Sequence, residues 1–315
     1  MRERSGVLMA IASSAIGGTA AALIRFMVAT TDPITLGALR FGLGAIFLLP
    51  VALCLRARWP RGRDWIGVVS LGCLFFGVCF ALFNAALVYT TAARGSLAMS
   101  TLPLLTMIAG AVLGIEPLTL RKVTGVLVAI GGVAIALVTG LAAAPKDAWR
   151  GDLIMVAAAT CMALYNVWSR PFIARSGPLA YVTATMGAGA SLLGAIAWPT
   201  GGFAIVMEFG NPQWVAILYL GLIGSALSFF LWVSALERTT PTRVANTLTV
   251  NPVTASILAA ILLSEPIGFN LVLGMVAVSL GIWIASTDAS VRSSTRNFGC
   301  RLKMESEKPP RMRSS

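Results

Sequence analysis

The chain has 315 residues, 57% of them hydrophobic and 11% charged, with 24 Lys and Arg, 12 Asp and Glu, and no His. A soluble domain carries about 25% charged residues, so this composition excludes an ordinary soluble protein and implies one that meets lipid. The net charge of +12 invites a nucleic-acid reading, but the placement of the basic residues follows membrane topology instead.

A helix needs about 20 predominantly apolar residues to cross a bilayer. Ten such windows follow in chain order, at roughly 6–25, 34–55, 65–89, 95–114, 121–140, 152–172, 178–199, 214–236, 244–263 and 268–286. In lipid the backbone must satisfy its own hydrogen bonds, and barrel strands would be half this length and alternate in polarity. The expectation is an all-α polytopic membrane protein with ten transmembrane helices. No clean Ala-x-Ala cleavage site bounds the first window, so it reads as a retained helix rather than a signal peptide. The five cysteines form no CxxC pair and read as small hydrophobes, with neither a disulfide nor a metal implied.

A polar side chain in hydrocarbon needs a partner or water, so each one inside a span is a pathway candidate, with interhelical hydrogen bonding as the plainer role. In the second window Arg40 is the only basic residue well inside a span; it holds either an anionic group such as a carboxylate or a structural partner. The third window offers Asn84, the fourth Ser96 and Ser100 ahead of Pro103, and the sixth Tyr165 and Asn166. The eighth adds Ser225, Ser228 and Trp232. The ninth stands out: Asn246 and Thr249 share a helical face, and Asn251 precedes Pro252, where a backbone carbonyl is released. Tyr165, Trp168 and Trp232 are candidates to line a cavity and stack on a flat ligand, but the two tryptophans lie near span ends, which favours duty at the membrane interface. Gly42, Gly44 and the small-residue run 187–195 predict close helix packing.

With the N-terminus inside, every basic residue except Arg25, Arg40, Arg94, Lys146 and Arg150 falls on the cytoplasmic side. That bias predicts a multi-pass protein of a bacterial inner membrane with both termini cytoplasmic. The basic segment 287–315 lacks apolar periodicity and reads as a disordered cytoplasmic tail attracted to anionic lipid.

Two stretches say nearly the same thing: Ile-Glu-Pro-Leu at 115–118 and Ser-Glu-Pro-Ile at 264–267. An offset of 149 also pairs Trp65 with Trp214, Gly72 with Gly221, Phe80 with Phe229, Thr91 with Thr240, Arg94 with Arg243 and Pro103 with Pro252. An offset of 145 pairs Arg25 with Arg170 and Pro33 with Pro178. The chain therefore reads as two copies of five helices, and an odd number per copy makes the repeat inverted. Glu116 and Glu265, each before a proline at a helix start, suit capping, with a gating or substrate role as the alternative.

The runs GIEPLTLRKVTGVLVAIGGVAIAL and LSEPIGFNLVLGMVAVSLGIWIA, in this duplicated order, resemble the EamA family of the drug/metabolite transporter superfamily. The likeness covers residues 6–286, as repeats 6–140 and 151–286. It implies a basket-like bundle around a central cavity that moves small metabolites such as amino acids, often outward. Import of a vitamin-like or other small organic solute is the alternative. An enzyme would need an acid, base, nucleophile or metal site, which the missing His and mid-span acids argue against. The expected partners are a small-molecule substrate and the lipid bilayer, with a homodimer left open and no nucleic acid or cofactor. The candidate substrate-binding residues are Asn246, Thr249, Asn251, Ser96, Ser100, Asn84, Tyr165, Asn166 and Arg40; Glu116, Glu265, Pro103 and Pro252 are structural or gating candidates.

Overall fold

The computed structural model describes residues 2–114, 120, 123–125, 127–128, 131–132, 147–263, 269, 272–274, 276–277 and 279–280. Among these, every regular element is helical, and eight helices are long and apolar enough to cross a membrane. They are α1 (Arg2–Met27), α2 (Pro33–Cys54), α3 (Asp64–Tyr89) and α4 (Ala92–Met99 with Leu102–Val112), then α5 (Ala148–Trp168), α6 (Pro178–Ala197), α7 (Asn211–Arg238) and α8 (Pro241–Leu263). Glu116, Glu265, the tail 287–315 and most of the windows 121–140 and 268–286 lie outside the described residues.

Helix boundaries follow local chemistry. The Asp32 carboxylate accepts from the N–H groups of Ile34 and Thr35, at 3.0 and 2.9 Å, and Pro33 takes the first position of α2, where no N–H is needed. Thr91 and Thr240 cap α4 and α8 in the same way, accepting from the backbone N–H of Arg94 (3.3 Å) and Arg243 (3.4 Å). Helix α5 ends at Trp168 rather than running to 172, because Pro171 would crowd the carbonyl four residues back; a short helix, Arg170–Ser176, starts afresh around it.

Two irregularities recur at the 149-residue offset. Helix α3 widens into a π-helical segment at Cys73–Cys79, and α7 does so at Leu222–Leu227. Helix α4 breaks at Ser100 and Thr101, and α8 tightens into a 3-10 turn at Thr247–Thr249. Both breaks fall about one turn ahead of Pro103 and Pro252. Each proline lacks an N–H, so the carbonyls of Met99 and Leu248 lose their usual helical partner.

The packing is crosswise. Helix α1 lies chiefly against α7 and α8, while α5 lies against α3 and α4; α2 packs on α6 and α7, and α6 on α2 and α3. Glycines permit the tightest crossings. A Cβ on Gly44 (α2) would come within 3.1 Å of the Gly221 carbonyl (α7), and one on Gly189 (α6) within 2.8 Å of the Gly72 carbonyl (α3). Gly42, Gly187 and Gly194 instead face open space, so the expectation of close packing holds only for some members of those small-residue runs. The perimeter keeps large apolar side chains outward, among them Ile46, Leu53, Ile66, Val215 and Ile261, as a lipid-facing surface requires. This is a multi-pass membrane protein.

Candidate functional site

A cavity of about 50 Å³ lies at the centre of the bundle. On the scale where one water needs about 10–15 Å³, it has room for a few small polar groups. Its wall comes from both halves of the chain: α1 gives Ser13, Ser14 and Gly17, α2 gives Arg40, α3 gives Phe80 and Phe83, and α4 gives Met99. From the second half come Met162 on α5, Gly224, Ser228, Phe229 and Trp232 on α7, and Leu248 and Asn251 on α8. Met99 and Leu248 are the two residues whose carbonyls the prolines release. The backbone irregularities thus border the cavity, where non-helical backbone is tolerated at membrane depth.

Phe80 and Phe229, partners at the 149-residue offset, meet with ring centroids 5.2 Å apart, nearly edge to face. Phe41, Phe75 and Phe76 complete an aromatic cluster around them, and Tyr165 stacks on Phe75 at 4.0 Å. Opposite this apolar wall, Ser13 on α1 donates to the Ser228 carbonyl on α7 (2.8 Å) and Ser228 donates back to the Ser13 carbonyl (3.1 Å). The hydroxyls of Ser14 and Thr247 lie 3.0 Å apart, so α1 is hydrogen-bonded to both α7 and α8.

Of the described residues singled out from sequence, Arg40, Ser228, Trp232 and Asn251 line this cavity. Asn84 is buried behind the wall, where its Nδ2 donates to the Pro33 carbonyl at 3.0 Å and ties α3 to α2. The Asn166 Oδ1 accepts from Trp232 Nε1–H at 3.0 Å, so it orients a wall residue rather than forming the wall. Trp232 itself is 2% exposed, contrary to the interfacial role expected of it, because α7 continues six residues beyond it and carries it inward; Trp168, 42% exposed, keeps a rim position. Tyr165 belongs to the aromatic cluster, and Ser100 donates to the Ser96 carbonyl within α4 (3.1 Å). Pro103 and Pro252 are buried and shape the breaks. Asn246 ends the first helical piece of α8, and the backbone of Thr249 lies in the 3-10 turn.

Sequence reasoning missed Ser13 and Ser14, the polar side of α1. Their signal was adjacent hydroxyls in the middle of an apolar window, in AIASSAIGG. It also missed two ion pairs related by the same offset. Arg94 on α4 binds Asp152 on α5 at 2.7 Å, and Arg243 on α8 binds Glu3 on α1. Each pair joins the fourth span of one half to the first span of the other.

The model of the EamA-like transporter family matches residues 4–138 and again 149–287. The uncharacterized transporter YyaM of Bacillus subtilis (strain 168) is 27% identical over 290 residues, covering 91% of this chain and 95% of its own length. A protein of Streptantibioticus cattleyicolor named a probable terminal-alkyne amino-acid exporter is 29% identical over 228 residues, covering 72% and 74%. A solved crystal structure superposes with a TM-score of 0.68 at 20% identity, covering 90% of this chain and 98% of the other, a likeness of fold alone.

Proposed function

From the premise that this chain belongs to the EamA-like transporter family, and so is a small-molecule transporter rather than an enzyme, we propose that it exports an amino acid or a closely related metabolite by alternating access. The substrate passes between two inverted five-helix repeats, 6–140 and 151–286, in a bacterial inner membrane with both termini cytoplasmic. The observation that carries this reading is the central cavity, whose wall is drawn from helices of both halves. The double family match and the recurrence of π segments, helix breaks and caps at one offset support two copies. The relative named as an amino-acid exporter supports the substrate class.

A cavity of this size admits only a few heavy atoms without movement of its walls, so passage needs the bundle to open on one side at a time. Two ion pairs join helices of opposite halves, Arg94–Asp152 between α4 and α5 and Glu3–Arg243 between α1 and α8; on the proposed topology they lie toward opposite faces of the membrane and serve as the two gates. Breaking one pair while the other holds is the rocking motion expected of inverted repeats.

Counterflow tests the reading: proteoliposomes preloaded with individual amino acids, vitamins and dyes are assayed for uptake of the labelled compound. The proposal expects exchange for at least one amino acid, at rates well above empty liposomes. Exchange confined to vitamins or dyes would move the substrate class, and none for any solute would count against a carrier.

A further inference from the structure

Among the described residues, Arg40 is a cation that the fold buries without an anion. It sits on α2 two turns from Pro33 and is 1% exposed. Its Nε donates to Ser225 Oγ at 3.2 Å, and the guanidinium carbon lies 4.6 and 5.2 Å from the ring centres of Phe41 and Phe80. Its Nη1 is buried and has no partner. The ion pairs formed among the described residues leave it out: Asp152, Asp147, Asp64 and Glu3 are held by other arginines.

A guanidinium presents its N–H groups in a rigid fork that matches a carboxylate, and burying one with donors unsatisfied costs several kcal/mol unless an anion or water completes it. The aromatic faces offset part of that cost but supply no hydrogen-bond acceptor in the plane of the fork. Arg40 also lines the cavity, as does Asn251 on α8, whose Oδ1 is a buried acceptor with no partner. The cavity therefore carries an unsatisfied cationic donor and an unsatisfied neutral acceptor, on different helices.

The repeat sharpens the point. At the 145-residue offset Arg40 corresponds to Thr185, which turns its hydroxyl back to the Tyr181 carbonyl of its own helix at 2.8 Å. The cavity has one cationic anchor rather than a symmetric pair.

We propose that Arg40 is the anion-recognition residue of the cavity: it binds the carboxylate of a small zwitterion through Nη1, while Asn251 Oδ1 accepts from the ammonium group. The proposal rests on the carrier reading and deepens it, because it requires a single carboxylate, an ammonium group and an uncharged side chain. A dicarboxylate would bring a second charge that no other cation on the wall meets, and a neutral amide would leave the guanidinium unpaired.

The test is thermal stabilisation of the purified full-length protein in detergent by each amino acid with an uncharged side chain, and by the matching carboxamide. At least one acid should raise the melting temperature, and its amide should not. Arg40→Lys, which keeps a point charge, should retain affinity to within about tenfold. Arg40→Gln should lose on the order of 100-fold, the scale of removing one partner of a buried charge pair. The ligand-free melting temperatures of both variants report whether they fold, and the acid-against-amide comparison in wild-type protein stands even if Arg40→Gln does not. Stabilisation by no acid, equal binding of acid and amide, or full affinity in a folded Arg40→Gln protein would overturn the proposal. Flux of neutral solutes without acid binding keeps the carrier and removes the anion site; acid binding without flux does the reverse.

Discussion

Trp232 and Asn166 show how a single hydrogen bond sets the cavity's shape. The indole N–H reaches Asn166 Oδ1 across two helices, and both side chains are buried. Trp232→Phe keeps most of the ring but leaves the amide oxygen unpaired, which costs about 1–3 kcal/mol for a buried group. The expected result is a lower melting temperature, partly restored in the double variant Trp232→Phe/Asn166→Leu, where neither partner is left unsatisfied. Differential scanning fluorimetry of the single and double variants checks this; equal losses in the two would contradict it. At this scale the sequence was informative about residue type and poor about direction. Asn84, Asn166 and Asn251 look alike as polar residues in apolar windows, yet only Asn251 lines the cavity, because helix rotation decides which face meets the centre and a nearly all-apolar span carries too little periodicity to fix that rotation.

Helices α4 and α8 are the elements in which sequence and structure agree most closely. The in-register Pro103 and Pro252 predict released backbone groups in these spans, and the helices break nearby, at Ser100–Thr101 and Thr247–Thr249, with Met99 and Leu248 bordering the cavity. The caps Thr91 and Thr240 were visible as an offset match, though not as caps. The ion pairs were less legible: Arg94 matches Arg243 in register, but their acidic partners lie on the first span of the opposite half, and only the crosswise packing of α1 and α5 brings them together. As gates, they predict opposite effects. With a single cysteine at Met99 or Leu248, Asp152→Asn should speed modification by a membrane-impermeant reagent from the periplasmic side, and Glu3→Gln should speed it from the cytoplasmic side. Each effect is expected at roughly threefold to tenfold, since a partly exposed ion pair contributes about 1 kcal/mol. Acceleration from the same side in both variants would exclude the pairs as alternating gates.

At the scale of the whole molecule, the all-helical membrane class and the family follow from composition, window length and the duplicated Glu-Pro and Pro pattern, because lipid narrows the backbone to few solutions. The cavity could not be read in the same way: it exists only where α1 from one half crosses α7 and α8 from the other, a long-range arrangement with no local signature. The central claim is that this shared cavity lies on the transport path and opens to each side in turn. Asn251→Cys, in a protein whose five native cysteines are replaced by Ala or Ser, tests it most directly in oriented proteoliposomes. An impermeant thiol reagent added on either side should modify Cys at this position, and a transported amino acid should slow both reactions by at least about threefold. Modification from one side alone, or from both with no protection by any transported solute, would contradict the account.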